Sequence, residues 1–93
     1  MKLLVTFKIY KGFNSWLKMV DDTHSIMEEM GIIMHWAGTN PEETRIYNIV
    51  EVINPEIARG FASRKDVIKA QFEAGVEIES TETLTPISRE KKW

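Results

Sequence analysis

The 93-residue sequence contains no cysteine. Disulfide staples, thiolate metal sites and the two-cysteine chemistry of copper chaperones are therefore excluded. Histidine occurs only twice. His24 has just Glu28, one helical turn on, at a ligand's spacing, and such a pair alone is poor zinc chemistry, so no metal is expected. Neither sign of charge dominates: twelve basic and fourteen acidic residues leave a formal charge of -2, which gives no basic footprint for nucleic acid or an anionic membrane. Long apolar runs are also missing. The opening Met1-Lys2-Leu3-Leu4-Val5-Thr6 falls far short of a signal-peptide core, and nothing approaches the length of a membrane span. These absences predict a soluble, cytoplasmic chain with no cofactor.

What is present is a composition of 43% hydrophobic and 28% charged residues, near the globular average. The length allows one domain with a thin core, and self-association is the expected remedy. Lys2 to Tyr10 alternates strictly, with Leu3, Val5, Phe7 and Ile9 on one face and Leu4, Thr6, Lys8 and Tyr10 on the other, the period of a strand. After Lys11-Gly12 the spacing turns helical through Phe13, Trp16, Leu17, Val20, Met27 and Met30, with Asn14 as a cap and Gly31 as the stop. Two further strands, Ile32 to Trp36 and Arg45 to Ile53, flank the turn chemistry of Gly38-Thr39-Asn40-Pro41 and form a hairpin. Asn54-Pro55-Glu56 starts a second helix. The capping-box spacing Ser63 to Asp66 restarts it after a bend near Gly60, and Gly75 ends it. Val76 to Thr85 is a last strand stopping at Pro86.

The order strand, helix, strand, strand, helix, strand is the α+β, ferredoxin-like arrangement, βαββαβ, with a four-stranded antiparallel sheet and both helices on one face. The domain is expected over residues 1–86 with a tail over 87–93. Its expected core is Leu3, Val5, Phe7, Ile9, Trp16, Leu17, Val20, Ile46, Val50, Phe61, Ile68 and Phe72. The sheet's other face is open and carries Leu4, Tyr10, Ile33 and Ile49 among Lys8, His35, Arg45 and Tyr47. That mixture is too apolar to leave bare in water and too polar for a core. In the second strand, Met34 with Trp36 and Ile33 with His35 are both acceptable helix-side pairs. His35 is assigned to the open face, and a one-residue slip would exchange them all.

The strand ending in Lys11-Gly12, the run Arg45-Ile46-Tyr47-Asn48-Ile49-Val50-Glu51-Val52-Ile53-Asn54-Pro55-Glu56 from strand into helix, and Glu73-Ala74-Gly75-Val76 together resemble the dimeric alpha/beta-barrel superfamily. That group includes cofactor-independent antibiotic-biosynthesis monooxygenases and haem-degrading enzymes. Phe7-Lys8, Asp21-Asp22, Gly31-Ile32 and Glu79-Ser80-Thr81-Glu82 are similar to a bacterial, largely cyanobacterial family of small uncharacterised domains. The resemblance implies a homodimer whose sheets face each other around a lumen. It also casts His35, Trp36 and Asn48 like the imidazole, aromatic and amide groups with which the monooxygenases hold and deprotonate a phenolic substrate. No histidine stands between Pro55 and Gly75, so the haem-degrading pattern is not met.

His35 is the candidate catalytic base, because imidazole is the side chain that ordinarily exchanges a proton near neutral pH. Trp36 and Tyr47 are candidate walls, and Lys8, Arg45 and Asn48 are candidate ligand contacts, the two cations facing a carboxylate or phenolate. Neighbouring strand residues point to opposite faces, so His35 and Trp36 share a lumen only if the strand bulges there. The plainer alternatives are packing of Trp36, a hydrogen-bonded His35, and cross-strand contact of the cations with Glu77 or Glu79. RNA binding is disfavoured because Arg45 to Ile53 has Tyr47 as its sole aromatic and carries Glu51. Acyl-phosphate hydrolysis is disfavoured by the glycine-poor stretch after the first strand. Two readings remain: a small-molecule-binding or cofactor-free oxygenase-like or isomerase-like homodimer, and a non-enzymatic dimerisation or regulatory module.

Overall fold

The computed structural model describes Met1–Trp93. Seven elements follow in the order β1 (Lys2–Ile9), α1 (Phe13–Glu29), β2 (Ile32–Thr39), β3 (Arg45–Val52), α2 (Pro55–Ser63), α3 (Lys65–Glu73) and β4 (Val76–Ile87). The four strands make one antiparallel sheet in the order β2-β3-β1-β4, the ferredoxin-like topology. No helix is long and apolar enough to cross a membrane.

The alternation in β1 sets the two faces. Phe7 and Ile9 are buried with Trp16, Ile46 and Val76, and Val5, Phe13, Met19, Val20, Met34, Ala37 and Ile78 pack around them. Trp16 lies between two phenylalanines, its ring centroid 5.9 Å from Phe7 and 5.9 Å from Phe13. Tilted and offset rings of this kind add to plain area burial.

Helix ends show where local chemistry decides and where it is overridden. At α2 the expected cap is present: Asn54 Oδ1 accepts from Glu56 N at 3.0 Å and Ile57 N at 3.4 Å, with Pro55 in the first turn. At α1 the cap is not Asn14. The helix begins a residue earlier, after Gly12, and the free amide of Phe13 donates to Glu43 Oε1 at 2.7 Å, a side chain from the β2–β3 turn. Glu43 sits at φ 54, a left-handed backbone that a non-glycine residue rarely adopts. Asn40 holds that turn, its Oδ1 accepting from Thr44 N at 2.9 Å and Arg45 N at 3.0 Å.

The break between α2 and α3 falls at Arg64, whose extended backbone separates the two helices. Ser63 does not form the expected capping box. Its hydroxyl donates back to the Arg59 and Gly60 carbonyls, while Asp66 pairs with Arg64 at 2.9 Å. The face of α3 turned inward is therefore Val67, Ala70, Gln71 and Ala74, spaced at three and four residues. This corrects two expected core positions, Phe72 at 67% exposed and Ile68 at 40%; a third, Leu17 on α1, is 37% exposed because the inward face of that helix runs through Trp16, Thr23 and Met27. At the C-terminal end β4 passes through Pro86 to Ile87, which pairs with Lys2. Proline is tolerated because β4 is an edge strand whose outer amides need no partner. Beyond it Glu90 accepts from Lys2 Nζ at 2.7 Å.

Candidate functional site

The open sheet face is assembled by register. Leu4 pairs with Ile49 and Ile49 with Trp36; Thr6 pairs with Tyr47 and Tyr47 with Gly38; Lys8 pairs with Arg45. Partners directly opposite share a face, so these side chains form one surface. In β2 the register slips between Met34, opposite Val50, and Trp36, opposite Ile49. His35 is the extra residue of that β-bulge. The bulge corrects the expectation that Trp36 shares the helix side with Met34. Met34 stays under the helices, whereas Trp36 is 54% exposed on the open face. His35 and Trp36 therefore lie on one surface, as only a bulge permits.

His35 Nε2 lies 2.7 Å from Glu51 Oε1, with both side chains about one-third exposed or less. The hydrogen bond from His35 holds the Glu51 carboxyl below its ordinary value, partial burial opposing it and the charges of His35, Lys2 and the N-terminus assisting. The Trp36 indole lies along its strand over Gly38, where a β-carbon would stand 2.9 Å from Cη2. A larger residue there obliges the exposed Trp36 ring to shift. At the opposite end of the face Lys8 and Arg45 stand directly across from each other, and neither belongs to an ion pair. Arg45 donates instead to Thr6 Oγ1 at 3.1 Å, and Thr6 in turn donates to the Ile46 carbonyl at 2.8 Å. Lys8 is also opposite Glu77 in β4, without forming an ion pair with it. Like charges directly across a ladder repel, and Glu77, opposite Lys8 on its other side, is the carboxylate that the register sets against this corner.

Asn48 is not part of this surface. It is buried at 5% exposure on the helix side, donating to Met34 Sδ at 3.3 Å. The face thus carries His35 and Trp36 at one end, Lys8 and Arg45 at the other and Tyr47 between them, and separates Asn48 from them all. Thr6 lies on the open face as the alternation in β1 predicts, and Glu51 is the neighbour of His35 that sequence reasoning passed over, its alternation with Ile49 and Tyr47 being the available signal. His24 forms an exposed helical pair with Glu28 at 3.0 Å, and no group of three or more potential metal ligands lies together.

Two clefts lie away from the open face. One, about 290 Å³ between α1 and α3, is rimmed by the exposed polar side chains of Ser15, Lys18, Asp22 and Glu73. The other, about 250 Å³, lies between the helices and the sheet and is lined mainly by apolar side chains, with Asn48 among them.

No protein-family model matches the chain, and no curated protein matches its sequence.

Proposed function

We propose that the protein is a homodimer whose open sheet faces pack against each other around a lumen that takes a flat, acidic small molecule. The observation that carries this reading is the β-bulge at His35, which puts His35 and Trp36 on one face with Ile33, Ile49 and Tyr47. Trp36, Ile33 and Tyr47 are 54%, 42% and 39% exposed, an apolar patch that water disfavours. The unpaired Lys8 and Arg45 supply the anion contact, and the aromatic rings supply the walls. Glu51, accepting at His35 Nε2, selects the tautomer with its proton there and leaves Nδ1 free to accept a proton from a bound hydroxyl. Such a site suits proton abstraction in a cofactor-free oxygenase-like or isomerase-like reaction. The second reading, a dimerisation module without ligand, draws on the same hydrogen bond, because a His35 already satisfied by Glu51 is also a structural residue.

Sedimentation mass tests the dimer. The expected value is twice the 10.8 kDa chain mass, reverting to a single chain in Ile49→Asp. Titration with a hydroxynaphthoate, read by tryptophan fluorescence, then separates the readings. Quenching that is lost in Trp36→Phe and weakened in Arg45→Gln supports the lumen, and a dimer that takes no such anion supports the module.

A further inference from the structure

The 250 Å³ cavity beneath the helices has a different character from the open face. Its walls come from Phe7 and Val50 on the sheet, Trp16 on α1, and Ala58, Phe61 and Ala62 on α2. Of the residues that α2 presents to it, Ala58 and Ala62 are small. Ala58 and Ala62 face it from one helix and Gln71 from the next, while Ile57, Ile68 and Phe72 point outward at 47%, 40% and 67% exposure. Space that side chains of this size would fill is left vacant.

One polar group stands out in this apolar lining. Asn48 is more than nine-tenths buried, and its carboxamide N–H donates to the thioether of Met34. Its Oδ1 is buried with no hydrogen-bond partner. Buried carbonyl oxygens are nearly always satisfied, and leaving one unpaired is costly. Thr23, the other buried polar residue of the lining, is already satisfied through Met19 O at 2.8 Å.

We infer that this cavity is a second binding site, for an uncharged, largely apolar ring compound bearing a single N–H or O–H that donates to Asn48 Oδ1. Cavity size sets the scale of the ligand. An engineered cavity of about 150 Å³ admits benzene, so this one admits about ten non-hydrogen atoms, a fused bicycle. The apolar walls supply binding, and Asn48 supplies selection, since a ligand without a donor leaves the oxygen orphaned. The site is independent of the open face, because Asn48 lies on the opposite side of the sheet from His35 and Trp36.

The test uses two isosteric probes, indole with its N–H donor and benzofuran with none, followed in the 93-residue chain by the NMR signals of the Asn48 side-chain amide. Saturable binding of indole that shifts the Asn48 amide, at about tenfold higher affinity than benzofuran, is the expected result. Asn48→Leu should remove that preference while keeping benzofuran binding, and Ala62→Phe should block both probes. Four results overturn the inference: no saturable binding of indole, equal affinities in the unaltered protein, a preference for benzofuran, or shifts confined to Trp36 and its neighbours. The preference is measured on the unaltered chain, so a variant that fails to fold does not remove the test.

Discussion

The hydrogen bond between His35 and Glu51, 2.7 Å long, acts on the Glu51 carboxyl. Because the folded Glu51 carboxyl lies below its ordinary value of 4.5, the stability it contributes is fully present above that pH and is lost as pH falls through the lower folded value. Thermal midpoints of the native protein and of Glu51→Gln, measured on acidification, should therefore differ above pH 4.5 and converge below it. A gap that widens with acid would contradict the pairing. Gly75 offers a steric counterpart. It sits at φ +85, and a β-carbon there would stand 2.6 Å from Lys11 Cγ and 2.9 Å from the Lys11 amide. Gly75→Ala combines a left-handed backbone with a collision, and chemical denaturation should register a loss of about 1–3 kcal/mol.

At the scale of elements, α3 shows how packing rather than side-chain size selects the face that is buried. Val67 is 1% exposed while Phe72 is turned to solvent. Aromatic size alone would make Phe72 a core residue, yet its truncation should matter little. Phe72→Ala is expected to cost within about 1 kcal/mol, in the range of surface changes. Ile46→Ala, at a position with no exposed surface, should cost about 3 kcal/mol or more through lost burial and the cavity left behind. Equal losses for the two in urea denaturation would mean that α3 packs with Phe72 inward. The bulge in β2 acts on the same scale: one extra residue re-aims Trp36 across the sheet without breaking the strand.

For the whole molecule, the proposed dimer rests on the balance between a thin core and a partly apolar open face. The monomer buries few large side chains completely, and only Ile46 and Val67 fall below 2% exposure. A domain of this kind gains from burying Trp36, Ile33 and Tyr47 against a second copy. In the proposed dimer, folding and association are linked by mass action, so the thermal midpoint should rise with protein concentration. In Ile49→Asp it should become independent of concentration. A midpoint that ignores concentration in the unaltered protein would set the dimer aside.

The alternation in β1, the turn at Asn40, the Asn54-Pro55 helix start and the stops at Gly31 and Gly75 were all legible in the sequence, because each rests on interactions spanning a few residues. They sufficed for the order of elements and for the helix-side and open faces of β1 and β3. Tertiary structure alone decided the rest. The start of α1 is capped by Glu43 from a distant turn, a partner that no local pattern names. The bulge that unites His35 with Trp36 depends on how β2 lies against β3, since strand pairing sets register and the side-chain sequence of Ile32 to Trp36 fits either face. The orphaned Asn48 oxygen and the cavity beside it arise from which faces of α2 and α3 turn inward, a packing outcome that fixes what is left unfilled only when all the elements meet.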